Sequence, residues 1–317
     1  MRSILYIGFL LFFLSCGKST EQETADTIDV ALSYLTDGKC EDAIEVLEDL
    51  GRKNGDAVYL QVLASAYACR ANFNEVRFIS TDIPAIVTTS GQALMRSLSI
   101  LTLSDEDAAD SSDYLDVKTA MGVLAYATGA TTPGQAERTT AFGVRGAGDI
   151  GVQLLFLSIV ELGKFLNYYG NVNAAGAKGL GGGASTCFID YSDPRAQAVI
   201  AANSGGACNS NTGGHPDLDF AAANLTKAKR RLCEGLVAFN TIVDVVANLD
   251  LSGTESLSKF TSVNTTITAL RAPAVAAGLG PLLALTSQSE CETAMGDNAK
   301  FADMEFLYSM LFESGLQ

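Results

Sequence analysis

From residue 27 to the C-terminal end, apolar side chains recur three and four positions apart, the period of helices that bury one face. Over 27–76 they fall into short runs separated by turn residues such as Gly38, which predicts paired helices. Pro84 can open a helix running to about Thr102, with Ile86, Leu94, Leu98 and Leu101 apolar. An Ala-rich helix is predicted over 116–128, and Pro133 stands where the next would start. The stretch 142–166 is apolar on nearly all sides, interrupted by Gln153, Glu161 and Lys164, and predicts a buried central helix. Residues 170–217 are rich in Gly and Asn and read as loop around a short helix opened by Asp193-Pro194. Helix returns after Asp219, a potential N-cap, with Leu225, Leu232, Leu236, Phe239 and Val243 on one face. Ser252 and Glu255 form a capping box for a helix to about Leu270. The uncharged stretch 272–287, with Pro273 and Pro281, is expected to pack under neighbouring helices, and an amphipathic helix is expected from Asp297 to Glu313. The expected class is all-α.

The first residues follow another logic. Arg2 precedes an uncharged apolar run, Ile4–Leu14, that falls short of the ~20 residues a membrane span needs. A charged start, a short apolar core and a small residue at the break are the pattern of a secretory signal peptide. Ser15-Cys16 at that break resembles the lipobox of bacterial lipoproteins, with Phe13 where Leu is usual. The resemblance implies that residues 1–15 are removed as signal peptide and that Cys16 becomes a lipidated first residue. Residues 16–26, polar from Ser19 to Asp26, then serve as a tether. Acyl chains such as palmitate bury methylenes at ~0.8 kcal/mol each, so several hold a protein durably at a membrane. Gly17 and Lys18 follow with no Asp directly after the cysteine, which in that family implies the periplasmic face of the outer membrane more than the inner membrane.

Within 27–80 a second pattern stands out. Ala31, Tyr34, Gly38, Ala43 and Leu47 are echoed by Ala64, Tyr67, Ala71, Phe73 and Val76, and the pairs Ala31/Ala64, Tyr34/Tyr67 and Ala43/Val76 are each 33 residues apart. This resembles the tetratricopeptide repeat, a helical hairpin of about 34 residues with small side chains where its helices touch. The resemblance implies helical-repeat hairpins over 27–80, continuing into a larger, irregular helical domain over 81–317 that carries the Gly-rich insertion 170–217. It also implies a disulfide. Cys40 would start the second helix of one unit and Cys69 would end the first helix of the next, side by side in an antiparallel stack.

Composition narrows the compartment and the job. Once Cys16 is set aside as the anchor, the six remaining cysteines of an exported chain suggest three disulfides. Beyond Cys40–Cys69, a Cys187–Cys208 bridge would hold the insertion, and Cys233 is expected to meet Cys291. The formal net charge is −15, and loss of Arg2 with the leader takes it to −16. Such a chain repels phosphate backbones, which argues against nucleic acid as partner. Gly146-Ala-Gly148-Asp-Ile-Gly151 spells G-x-G-x-x-G, yet it lacks the preceding strand and the later acid of a dinucleotide site. The acidic run 104–113 lacks the Gly and distal Glu of a calcium loop. His215, the single histidine, has no ligand cluster around it in sequence, and Lys227, Lys229, Arg230 and Arg231 read as a solvated basic face. No catalytic, cofactor or metal residue is assigned. The expectation is a non-catalytic scaffold of the cell envelope that grips a protein or peptide and touches the membrane through its lipid alone. The alternative is an accessory component of a TRAP-type periplasmic uptake system, binding a small ligand or its binding protein.

Overall fold

In a computed structural model the described residues are 19–101, 110–130, 133–179, 185–203, 206–218, 220, 224–249 and 255–317, with side chains of the last segment described from Lys259. Cys16, the lipobox, the possible cap Asp219, the Ser252 end of the capping box and most of the acidic run 104–113 lie outside them. Among the described residues every regular element is helical. None of these helices is long and apolar enough to cross a membrane.

One helical hairpin opens the fold, and the third helix packs on it and on a later helix rather than on the segment that follows it. Helix α1 (Thr20–Thr36) starts at Ser19, whose hydroxyl accepts the Gln22 N–H, and Gly38, at φ 72°, turns the chain into α2 (Cys40–Asp49). Helix α3 (Ala57–Arg70) is capped by Asp56, which accepts the Tyr59 N–H. The next stretch strings together α4 (Glu75–Arg77), a π-helical turn (Phe78–Asp82) and α5 (Ile83–Ala85). Ala31, Ala43 and Ala64 are fully buried where the first three helices meet, as small contact residues should be. Val76, the counterpart of Ala43 in the spacing, is instead 77% exposed. This segment buries Phe78 and Ile83 rather than Val76, which precedes the π turn.

Pro84 does not open a long helix. The backbone turns extended at Ile86 (ψ 124°), and Ser90 caps a separate α6 (Gly91–Ser99) by accepting the Ala93 N–H. Then follow α7 (Ser112–Ala125) and α8 (Gln135–Gly170), the latter broken at Gly143, whose φ of 70° and ψ of 174° suit glycine. From Leu154 to Leu166 every residue of α8 is buried, because α10, α7, α6 and α3 surround it. The remaining helices are α9 (Pro194–Ala202), α10 (Leu225–Asn248), α11 (Glu255–Ala276), α12 (Gln288–Ala294), α13 (Asn298–Tyr308) and α14 (Ser314–Leu316), with a π turn (Ser309–Glu313) joining the last two. One cluster of buried apolar residues runs from Ile28 to Leu316, so the first helices share a core with the rest.

One further expectation changes and one holds. The end of the chain is not amphipathic: Glu305 and Glu313 are buried beside Met304, Leu307, Leu311 and Phe312. The 272–287 stretch does pack inward, burying Leu279, Leu282 and Leu283, while Asn240 donates to the carbonyls of Leu282 and Leu285 at 2.9 and 2.8 Å.

Candidate functional site

Three pairs of cysteines lie at disulfide distance: Cys40 with Cys69, Cys187 with Cys208 and Cys233 with Cys291, at Cα–Cα separations of 5.6, 4.8 and 5.7 Å. The first staples α2 to α3, the second closes the insertion on itself, and the third ties α10 to α12. Cys187 and Cys208 also lie near Glu313, but sulfurs joined to each other offer no thiolate to a metal. His215 sits between the rings of Tyr168 and Tyr169, at 4.9 and 5.0 Å, and its Nδ1 accepts the Asp217 N–H at 3.2 Å. Burial lowers its pKa, which suits a neutral ring in an aromatic wall. Gly146, Gly148 and Gly151 lie inside α8 rather than in a phosphate-cradling loop. A Cβ on Gly151 would come within 3.0 Å of Leu249, so that glycine serves close packing.

The basic face is where the reading changes most. Arg231 is buried, and its guanidinium donates to both oxygens of Glu234, at 3.1 and 2.9 Å, while also pairing with Asp110. Glu234 in turn takes a short ion pair from Lys118 and a 3.3 Å hydrogen bond from the Tyr114 hydroxyl. Lys227 leaves the solvent-facing set as well, pairing with Asp217 at 2.7 Å.

Facing Glu234 from α8 is Glu161, 1% exposed, with no hydrogen bond of good geometry to either carboxylate oxygen. The two acids, with Lys118, Met121, Tyr126, Thr241 and Gln288, line a cavity of about 70 Å3. That is the volume of roughly two water molecules. Burial first and the Glu234 charge second raise the Glu161 carboxyl to about 8, against the opposing pull of Lys118, the Tyr114 hydroxyl and Lys164. Glu161 is therefore largely protonated at neutral pH, and α7, α8 and α10 can converge without two bare carboxylates facing each other.

This has a measurable consequence. A carboxyl whose pKa is higher folded than unfolded binds more protons in the folded state between those two values. Stability must then fall as pH rises from about 4.5 toward 8, with a slope of at most ~1.4 kcal/mol per pH unit. Glu161→Gln is expected to flatten that slope and to be more stable than wild type at pH 8. Denaturant midpoints at pH 5, 6.5 and 8 measure it, and equal slopes in the two proteins would refute the protonation assignment.

Sequence reasoning passed over this cluster. The available signal was an acid interrupting an otherwise apolar helix, together with Arg231 and Glu234 three residues apart on one helix face.

A second feature lies at the open end of the first helices. Thr24, Ile28 and Asp29 of α1 and Lys53, Asp56 and Val58 border a groove of about 610 Å3. Glu21 and Asp29 are exposed on its α1 side, so the rim is acidic over a partly apolar floor.

No protein-family model, curated protein or solved structure matches this chain. Its reading rests on its own geometry.

Proposed function

We propose that this chain is a lipid-tethered, non-catalytic scaffold of the bacterial envelope, anchored through Cys16, whose tetratricopeptide-like hairpins hold a basic segment of a partner protein in the α1–α3 groove. The observation that carries the reading is the contrast between two spaces. The groove of about 610 Å3 is wide, open and rimmed by Glu21, Asp29 and Asp56. The partly open cavity at Glu161 and Glu234, about 70 Å3, is far below the ~300–1,000 Å3 of small-molecule sites. A small ligand of an uptake component would need a pocket that buries most of its surface, whereas the groove of suitable volume is open. A formal charge of −15 favours a cationic partner by long-range attraction. The groove opens beside α1, which begins four residues after Cys16, so a bound partner would be held close to the membrane.

The test uses the full-length, membrane-anchored chain with a photo-crosslinking side chain at Thr24 and a matched Cys16→Ala control. A protein adduct is expected for the anchored form. It should weaken several-fold in a Glu21→Lys, Asp29→Lys variant and fade with added salt, as screening of exposed charges requires. An adduct indifferent to charge reversal and salt would overturn the basic-segment reading. Recovery of a small molecule with no protein adduct would favour the uptake component.

A further inference from the structure

We propose that Lys178 and Glu313 condense into an intramolecular amide that ties the Gly-rich insertion covalently to the C-terminal helix. Both side chains are 0% exposed, and Nζ stands 3.5 Å from Oε2. Neither atom has a hydrogen-bond partner among the described residues. Nζ lies 3.5 Å from the centroid of the Phe188 ring, which itself packs against Phe165, Tyr308 and Phe312. On the far side, the sulfurs of Cys187 and Cys208 come within 4.8 Å of a Glu313 oxygen. This is an apolar chamber holding one amine and one carboxyl.

As an ion pair the arrangement is poor. Each buried charge carries a desolvation penalty of several kcal/mol, repaid only when the other protons and lone pairs are satisfied. Here Nζ has the Phe188 ring and one distant oxygen. Burial draws Lys178 down to about 8 and pushes the Glu313 carboxyl up, in both cases toward the neutral form.

The other carboxylate oxygen is placed differently. Oε1 accepts a short hydrogen bond from the Phe188 N–H and one of 2.8 Å from the Tyr191 hydroxyl. Two fixed donors on one oxygen form the arrangement that stabilises a tetrahedral intermediate. The neutral amine attacks Cδ, the Nζ–Cδ bond forms, and the electron pair of the carbonyl moves onto Oε1 between those donors. Collapse restores the Cδ–Oε1 double bond and breaks Cδ–Oε2. Oε2 leaves as water, carrying its own proton and one from Nζ. No oxidant or cofactor enters the balance. Since Oε2 is the oxygen without a hydrogen bond, its departure breaks none, and the product amide keeps both donors on Oε1. The Lys178 N–H already bonds the Leu316 carbonyl at 3.0 Å, so the two strands to be joined are held in register before reaction.

The full-length protein, denatured and with its disulfides reduced, is digested with trypsin and mapped by mass spectrometry. Trypsin cannot cut after an acylated lysine, so the expected product is a branched peptide in which 165–195 is joined to 301–317, lighter by one water than the two together. A Lys178→Arg variant should release 165–178, 179–195 and 301–317 as separate peptides and lack the one-water deficit in its intact mass. Cleavage after Lys178 in reduced wild type, with 301–317 released at full mass, would overturn the proposal. A water deficit mapped to any other residue would overturn it equally. Because wild type alone decides the matter, a variant that fails to fold leaves the test intact.

Discussion

Glu305→Ala is expected to lower stability by about 3–5 kcal/mol, because it leaves three buried hydrogen-bond donors without their acceptor. Glu305 is buried on α13 and points into the start of α9. Its Oε2 accepts the N–H groups of Ser192 and Asp193 at 2.6 and 2.7 Å, and its Oε1 accepts the Ser192 hydroxyl at 2.7 Å. Asp193 is the N-cap of α9, accepting the N–H groups of Arg195 and Ala196, so the carboxylate of α13 positions the cap of another helix. Truncation leaves two N–H groups and a hydroxyl without partners, each costing about 1–3 kcal/mol if no water reaches it. Glu305→Gln separates charge from connectivity. Its carbonyl in the Oε2 position can keep both N–H groups and its NH2 meets the Ser192 hydroxyl, which can turn to accept, so it should recover most of the loss. Urea midpoints of the three proteins provide the comparison. A loss below ~1 kcal/mol for the alanine variant would mean that water reaches the freed donors at the start of α9 and replaces the carboxylate.

The second large effect lies where α8 crosses α10. Gly235 leaves room for the Phe165 ring, and a Cβ built there would stand 2.5 Å from Cε1 and 2.6 Å from Cζ. The ring has no easy retreat, since Tyr169, Phe188, Phe312 and Tyr308 surround it at centroid distances of 4.7 to 6.4 Å. Two terms oppose each other in Gly235→Ala. Helix propensity favours Ala by about 1 kcal/mol, whereas overpacking a filled core costs typically 1–3 kcal/mol and more when the neighbour is pinned. Overpacking should win, for a net loss of about 2 kcal/mol. Phe165→Ala should cost about 3–5 kcal/mol by opening a cavity. In that background Gly235→Ala is expected to be neutral or stabilising, because the clash is gone and the propensity gain remains. A coupling of about 2 kcal/mol in the double-mutant cycle is the signature. Additive losses would show that α8 and α10 can move apart.

Helix content was legible from the spacing of apolar residues, and the buried central helix from a run of residues apolar on every side. The three cysteine pairs at bonding distance are those expected from repeat geometry, loop closure and the last two cysteines left. The repeat spacing picked out the buried Ala31, Ala43 and Ala64 but misled at Val76, which is exposed on α4. Pro84 misled as well. A proline at a first turn fits a helix start, yet here only Ile83–Ala85 follows the π turn before the backbone extends. The polar clusters were the least legible part. Glu161 is marked only by its apolar helix and Glu234 only by Arg231 three residues before it, while Glu305 and Glu313 carry no local mark that separates them from the solvated acids of α1 and α2.

Helix period, cap residues, the polar break after Leu14 and the even cysteine count beyond Cys16 are properties of neighbouring residues, and they can be read along the chain. Whether a charge is solvated depends on which distant segments close over it. Arg231 looked like one of four exposed cations until α7 and Asp110 came to lie beside it, and Lys178 looked like loop until the end of the chain covered it. Desolvation is set by surroundings on all sides, so the packed helices alone determine which acids hold their protons and which amine faces a carboxyl.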